Sequence, residues 1–253
     1  PVNDDMKEDA ATIIKQIKSA YKSNYGDNYK DSLNQALTSA GYKNLSEYRQ
    51  KMIKQIQYAN FLLDYIDDHF DDVFNDYYQQ CAPKYVSLIK ISVSDTSSPT
   101  DDETSKLNEV KELISNTDKS FGDIAQDYSN DSTSSKKGSL GIVDSKDTSG
   151  IANSYGKDVF NAIEALSEGQ VSDVITGDNG YYFVKVTSTD KKTLKKELKK
   201  TDIDSPLLAY DDYLQYVVYN SYKINYKDKD IKKIVQEVVN KALEERKTER
   251  GEA

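Results

Sequence analysis

The chain has 253 residues, a formal net charge of -9, and 37% hydrophobic against 30% charged residues, a soluble balance with length enough for one large core or two to three smaller ones. No run approaches the roughly 18 apolar residues of a membrane helix, and the opening PVNDDMKEDA has neither the basic nor the apolar region of a signal peptide. The negative charge argues against nucleic acid, and one cysteine, Cys81, closes no internal disulfide, so the fold must hold by packing.

Residues 6–23 place Ile13, Ile14, Ile17 and Tyr21 at helical spacing, and residues 47–66 repeat the pattern with Ile53, Ile56, Ala59, Leu63 and Ile66. Between them GYKNLSEYR carries a glycine stop, with Ser46 ahead of Glu47 as the expected cap of the second helix. Residues 67–80 continue as a further helix, and Pro83 ends the helical region. His69, in DDHFDD, is the only histidine and suits a solvated helix end, while Cys81 in QQCAPKY reads as a small, half-buried apolar side chain. Cys–His and Ser–His–Asp chemistry are therefore disfavoured, and the single His and Cys give no metal-ligand spacing; no metal and no cofactor is expected.

The character changes at Tyr85. YVSLIKISVSD alternates as a strand should, DDETSKLNEVKELISN returns to a helical pattern through Leu107, Val110 and Leu113, and FGDIAQDYS is a second short helix. SLGIV then reads as a strand, SYGKDVFNAIEAL as a helix with Phe160 and Ile163 inward, VSDVIT as a strand, DNG as a turn and YYFVKVTS as a last strand, giving the order βααβαββ. Past residue 190 the chain is helical again, with Leu207, Leu214, Val217 and Val218 in one amphipathic stretch and Ile231, Ile234, Val235, Val238 and Leu243 in another. The basic run KKTLKKELKK at 191–200 fits a solvated helix face. The fold class is α+β: helical residues 1–83, a central βααβαββ unit at 84–190, and helices over 191–253.

QDYSNDSTSSKKGSLGIV, residues 126–143, has little apolar surface to bury, yet it joins two ordered segments and is longer than a simple connection. It is either a hinge or a shaped loop. The residues around it carry a resemblance: Phe121, Ile124, Ala125, Tyr128, Ser129, Asp131, Gly138, Ser139, Leu140 and Gly141, then Leu166, Gly169, Val171 and Ser172, and finally Gly180 with Tyr181. In that register residues 84–190 resemble a parvulin-type peptidyl-prolyl isomerase domain, an FKBP-like fold with a four-stranded antiparallel sheet, and the polar stretch is then the ordered loop leading to the active-site strand. Helical flanks on both sides of one such domain resemble the PrsA-type foldase lipoproteins of Gram-positive bacteria, whose two ends join into one all-α chaperone-like domain.

Rotation about an X–Pro bond crosses a barrier of roughly 18–20 kcal/mol because the twisted state loses amide resonance. A catalyst therefore needs only an apolar clamp for the proline ring and a few polar groups that favour the twisted amide. The resemblance implies that clamp and cluster at particular positions. Lys90 and Tyr182 stand in place of the two family histidines and Ser139 in place of an Asp or Cys, while Ile151, Tyr155, Phe160 and Leu140 line the proline pocket. Every polar position differs from the family pattern, so weak isomerase activity is expected at best. Ordinary roles are open as well: Lys90 reaching solvent, Tyr182 favouring strand, Ser139 serving a turn. The alternative is an inactive holdase that cradles unfolded chain. The resemblance further implies unfolded or newly secreted polypeptides containing X–Pro as partners, compatibility with a homodimer through the N-terminal helices, and a site on the outer face of the cytoplasmic membrane. That attachment is expected to run only through a lipid anchor, with none expected within these residues.

Overall fold

A computed structural model describes residues 1–199, 205–209 and 225–251. Leu214, Val217 and Val218, expected in an amphipathic stretch, lie outside the described residues. The chain divides into two compact units, 1–69 and 70–253.

In the first unit, α1 (Asp4–Tyr25) starts at Asn3, whose side chain accepts from the Met6 N–H at 2.9 Å. Met6, Ala10 and Ile14 form its buried stripe; Ile13, one residue off that stripe, is 38% exposed and does not join the core. A helix that the hydrophobic periodicity does not single out, α2 (Tyr29–Ser39), buries Leu33 and Leu37. The third, α3 (Leu45–Asp68), is capped by Asn44 rather than Ser46: Asn44 accepts from the Glu47 N–H at 3.0 Å, and Glu47 accepts in return from the Lys43 N–H at 2.7 Å. Met52 and Ile53 of α3 pack on Ala10 and Ile14 of α1.

The second unit opens with α4 (Phe70–Cys81), whose inner face (Phe74, Tyr77 and Cys81) is fully buried. Cys81 is thus more enclosed than its sequence context suggests. The Tyr77 hydroxyl donates to the buried Asp144 carboxylate at 2.8 Å, the Thr148 hydroxyl donates to the same group, and the Ser145 N–H donates to the Cys81 carbonyl at 2.8 Å. Burial and that carboxylate push the Tyr77 phenol far up.

After α4 come β1 (Lys84–Ser92), α5 (Asp101–Asn116), α6 (Phe121–Tyr128), β2 (Ser139–Val143), α7 (Ile151–Tyr155), α8 (Lys157–Ala165), β3 (Ile175–Gly177) and β4 (Gly180–Ser188). The four strands form one antiparallel sheet in the order β2-β1-β4-β3. Leu88 pairs with Val184 and Lys90 with Tyr182, so alternate β1 residues Val86, Leu88 and Lys90 share a face with Tyr182 and Val184. That face packs on Ile151, Val159 and Ile163 of α7 and α8. The opposite face, through Ile89, Ile91 and Phe183, packs on Leu107 and Val110 of α5 and on Phe121, Ile124 and Ala125 of α6.

Two expected elements differ. The helix expected over 154–166 is broken in two by Gly156, whose φ of 100° closes α7 and starts α8. VSDVIT contributes only the short β3 and an isolated bridge between Val171 and Lys185. Lys84 fixes α8 to the sheet by donating to the carbonyls of Ile163, Glu164 and Leu166 at 2.9, 2.6 and 3.1 Å, a cation satisfying helix C-terminal carbonyls.

The chain continues in α9 (Lys191–Leu198), α10 (Pro206–Ala209) and α11 (Lys229–Glu249). Within the basic run, Leu194 and Leu198 are buried and Lys195 pairs with Asp71 at 2.8 Å. Ile231, Ile234 and Val238 form an exposed stripe on α11. No described helix is long and apolar enough to cross a membrane.

Candidate functional site

The polar stretch after α6 is an ordered loop built on β1, because β2 leaves part of that strand's hydrogen bonding unmatched. Beyond Ser87 the loop takes over: the Lys90 N–H donates to Ser129 Oγ at 3.0 Å, the Asn130 N–H donates to the Lys90 carbonyl at 2.8 Å, and the Ser92 N–H donates to Asn130 Oδ1 at 3.0 Å. A 3-10 turn over Ser132–Lys136 follows, capped by Asp131, which accepts from the Thr133 N–H at 2.9 Å. Gly138 then presses against β1. A Cβ there would lie 2.3 Å from the Leu88 carbonyl oxygen and 2.9 Å from Ala125 Cβ, so only glycine fits at this φ of +74°.

This loop carries Asp131 to the face of the sheet that holds Lys90 and Tyr182. The Tyr155 hydroxyl, at the end of α7, donates to Asp131 Oδ1 at 3.4 Å. The Tyr155 ring stands edge-on to Tyr182, with centroids 6.2 Å apart and planes at 81°, and the Lys90 ammonium sits 5.7 Å above the Tyr182 ring. The Tyr182 hydroxyl donates to Asn179 Oδ1 at 3.1 Å. Burial first, then the Asp131 carboxylate and Tyr182, push the Tyr155 phenol up to about 12, so it stays neutral at physiological pH.

Beside this cluster a groove of about 450 Å³ runs between the α7–α8 bend and the β3–β4 hairpin. Tyr155 and Ile175, with the nearly buried Val159 and Tyr182 behind them, supply its apolar part, and most of its exposed lining is polar, with Asn153, Lys157, Asp178 and Asn179 among the contributors.

Three of the residues singled out from the sequence, Lys90, Tyr155 and Tyr182, come together here. Ser139 does not join them. It pairs with Ser87 across a register shift between Val86 and Ser87, on the α5–α6 side of the sheet, and its hydroxyl donates to Tyr85 Oη at 2.9 Å. Ile151 is 4% exposed inside the core, and Leu140 and Phe160 pack against that core; none of the three lines the groove. Asp131 takes the acidic place beside the tyrosines. Its only mark in the sequence is its position in YSNDS, where a turn-capping aspartate and a site aspartate look the same. Among the described residues no group of three or more His, Cys, Asp or Glu is arranged to hold a metal ion.

Residues 88–188 match the family model described as Rotamase, the PPIC-type PPIASE domain. The central domain is thus similar to a PPIC-type rotamase domain. The chain is also similar to the foldase protein PrsA of Staphylococcus epidermidis and to that of Staphylococcus aureus, in each case 32% identical over 141 residues, covering 53% of this chain and 41% of the relative. It thus spans about two fifths of the length of those relatives. Among solved structures, that of PrsA from Bacillus subtilis is similar at 21% identity over 91% of this chain and 79% of the other, with a TM-score of 0.40. Within the rotamase domain, the site described above sits on the strands and helices that the family match spans.

Proposed function

We propose that the chain assists the folding of polypeptides outside the cytoplasm, with its rotamase domain speeding X–Pro exchange weakly. The observation that carries this reading is the groove walled by Tyr155, Val159, Ile175 and Tyr182 beside the Lys90–Tyr182 pair. A proline ring would rest on the aromatic walls while the twisting imide nitrogen, whose lone pair is released as conjugation fades, meets a donor. The hydroxyls of the cluster are already engaged: that of Tyr155 with Asp131 and that of Tyr182 with Asn179. Lys90 has three N–H protons and, among the described residues, no hydrogen-bond acceptor for them, so it is the donor proposed for the twisted amide. One half-buried lysine whose ammonium lies over a ring, with no described hydrogen-bond acceptor, is less preorganised than a hydrogen-bonded cluster, and the rate gain is correspondingly small.

The test is cis–trans exchange of a proline tetrapeptide with the full chain. Acceleration above the uncatalysed rate, lost in Lys90→Met, supports the reading; no acceleration removes the enzyme. A second reading, a holdase without catalysis, draws on the Tyr155 phenol lying against Asp131, which leaves that carboxylate occupied before any client arrives. It is the reading to keep if the full chain suppresses aggregation of an unfolded client yet leaves the tetrapeptide rate unchanged. Residues 1–83 and 191–253 as the client-holding part, pairing of two copies through the N-terminal helices, and membrane attachment by a lipid are proposals that rest on the likeness to PrsA foldases.

A further inference from the structure

In the N-terminal unit a groove of about 690 Å³ opens between α1, α2 and the start of α3. Its apolar surface comes from Ile14, Tyr29 and Leu45. Its rim is cationic: Lys15, Lys18 and Lys22 of α1 and Arg49 of α3, with no acidic residue along it. That concentration runs against the composition around it, since residues 1–69 hold nine Lys and Arg and ten Asp and Glu.

Lys15, Lys18 and Lys22 fall at i, i+3 and i+7, on one stripe of α1. Like charges at such spacing repel, so the stripe works against the helix that carries it. All three are exposed, and among the described residues none forms an ion pair, whereas Lys7 on the same helix pairs with Asp4 at 2.8 Å. A charge cluster left without a counter-charge around an apolar floor matches a ligand bearing both features.

We propose that this groove binds unfolded polypeptide in which carboxylates are interleaved with apolar side chains, the apolar groups seated on Ile14 and Leu45 and the carboxylates facing the lysine stripe and Arg49. The proposal rests on the reading of the chain as a folding factor and names the class of client it selects. A polyanion without apolar groups, such as a phosphate polymer, would use the rim and leave the floor empty, which is why the acidic polypeptide is preferred. Charge on the rim also steers encounter, so binding weakens as salt rises.

The experiment is fluorescence anisotropy of the full chain with a labelled dodecapeptide alternating Asp or Glu with Leu or Phe, its Lys-for-acid counterpart, polyglutamate and poly(glycerol phosphate). The acidic, apolar peptide is expected to bind at least tenfold more tightly than the other three. Replacing Lys15, Lys18 and Lys22 together by Glu should abolish that preference while far-UV circular dichroism and the tetrapeptide exchange rate stay unchanged; a second variant with Gln at the same positions should fall between the two. Equal binding of the acidic and basic peptides, polyanion binding as tight as that of the peptide, or a preference untouched by both variants would overturn the proposal. Aggregation of a neutral unfolded client separates the failures: if the full chain still suppresses it, only the acidic preference is lost, and if it does not, the folding-factor reading falls as well.

Discussion

The two faces of the central sheet are built from the same two central strands, both bury a core, and they differ at one end. On one side α5, with sixteen residues, and α6 close over Ile89, Ile91 and Phe183. On the other, a five-residue α7 and a nine-residue α8 meet at Gly156, and with a three-residue β3 they leave the Tyr182 end of the sheet open to a groove. Both covers bury a core, and the broken one also leaves a groove at its end. The difference teaches that stability and chemistry are divided between faces through the lengths of the covering helices, while the strands alternate identically beneath both.

That division predicts separable effects. Ile124→Ala, on the sealed side, removes a side chain 1% exposed and should cost about 3 kcal/mol, read as a lower urea midpoint, with the tetrapeptide rate per folded molecule unchanged. A rate loss without a stability loss would break the comparison. Lys90→Met, on the grooved side, should do the reverse, taking the small catalysed part of the exchange rate down to the uncatalysed value with the urea midpoint little moved. Thr100→Ala removes the N-cap of α5, whose hydroxyl accepts from the Glu103 N–H at 3.2 Å, and should lower stability by about 1 kcal/mol with no change in rate.

The smallest effect is a titration. The Tyr155 phenol is held up to about 12 in the folded domain against about 10 in an unfolded chain, so the neutral form favours the fold. Its contribution is complete below pH 10 and is lost as the pH rises from 10 through 12. The stability of Tyr155→Phe should therefore fall less steeply across that window than that of the parent chain. Parallel curves would place the phenol in an ordinary aqueous setting and undo the cluster with Asp131.

How much of this was legible in the sequence varies with the range of the interaction. Alternation in β1 and β4 and the spacing of Leu107 and Val110 are local patterns, and each gives an element where it is found. Lys90 and Tyr182 are placed by the resemblance alone, and they meet because strands β1 and β4 are regular over that span. Ser139 could not be placed the same way, since the register shift between Val86 and Ser87 decides which face it takes, and a bulge leaves no mark in hydrophobic period. Asp131 is similar: its approach to Tyr155 depends on the loop clasping the Lys90 backbone through Ser129 and Asn130, contacts between segments about 40 residues apart. The break at Gly156 is a third case. Glycine permits the turn there, but helical spacing on both sides reads straight through it.

The phenol–carboxylate clasp between Tyr77 and Asp144 bears on how the molecule can be dissected. A fragment that begins at Lys84 deletes the Tyr77 hydroxyl together with α4, and leaves the Asp144 carboxylate only the Thr148 hydroxyl and the Lys146 and Thr148 N–H groups as donors. A fragment that begins at Phe70 keeps both halves of the clasp. Truncation work on the rotamase should therefore compare these two starting points, since a weak or insoluble product from the shorter one would report a severed fastening and say nothing about the groove.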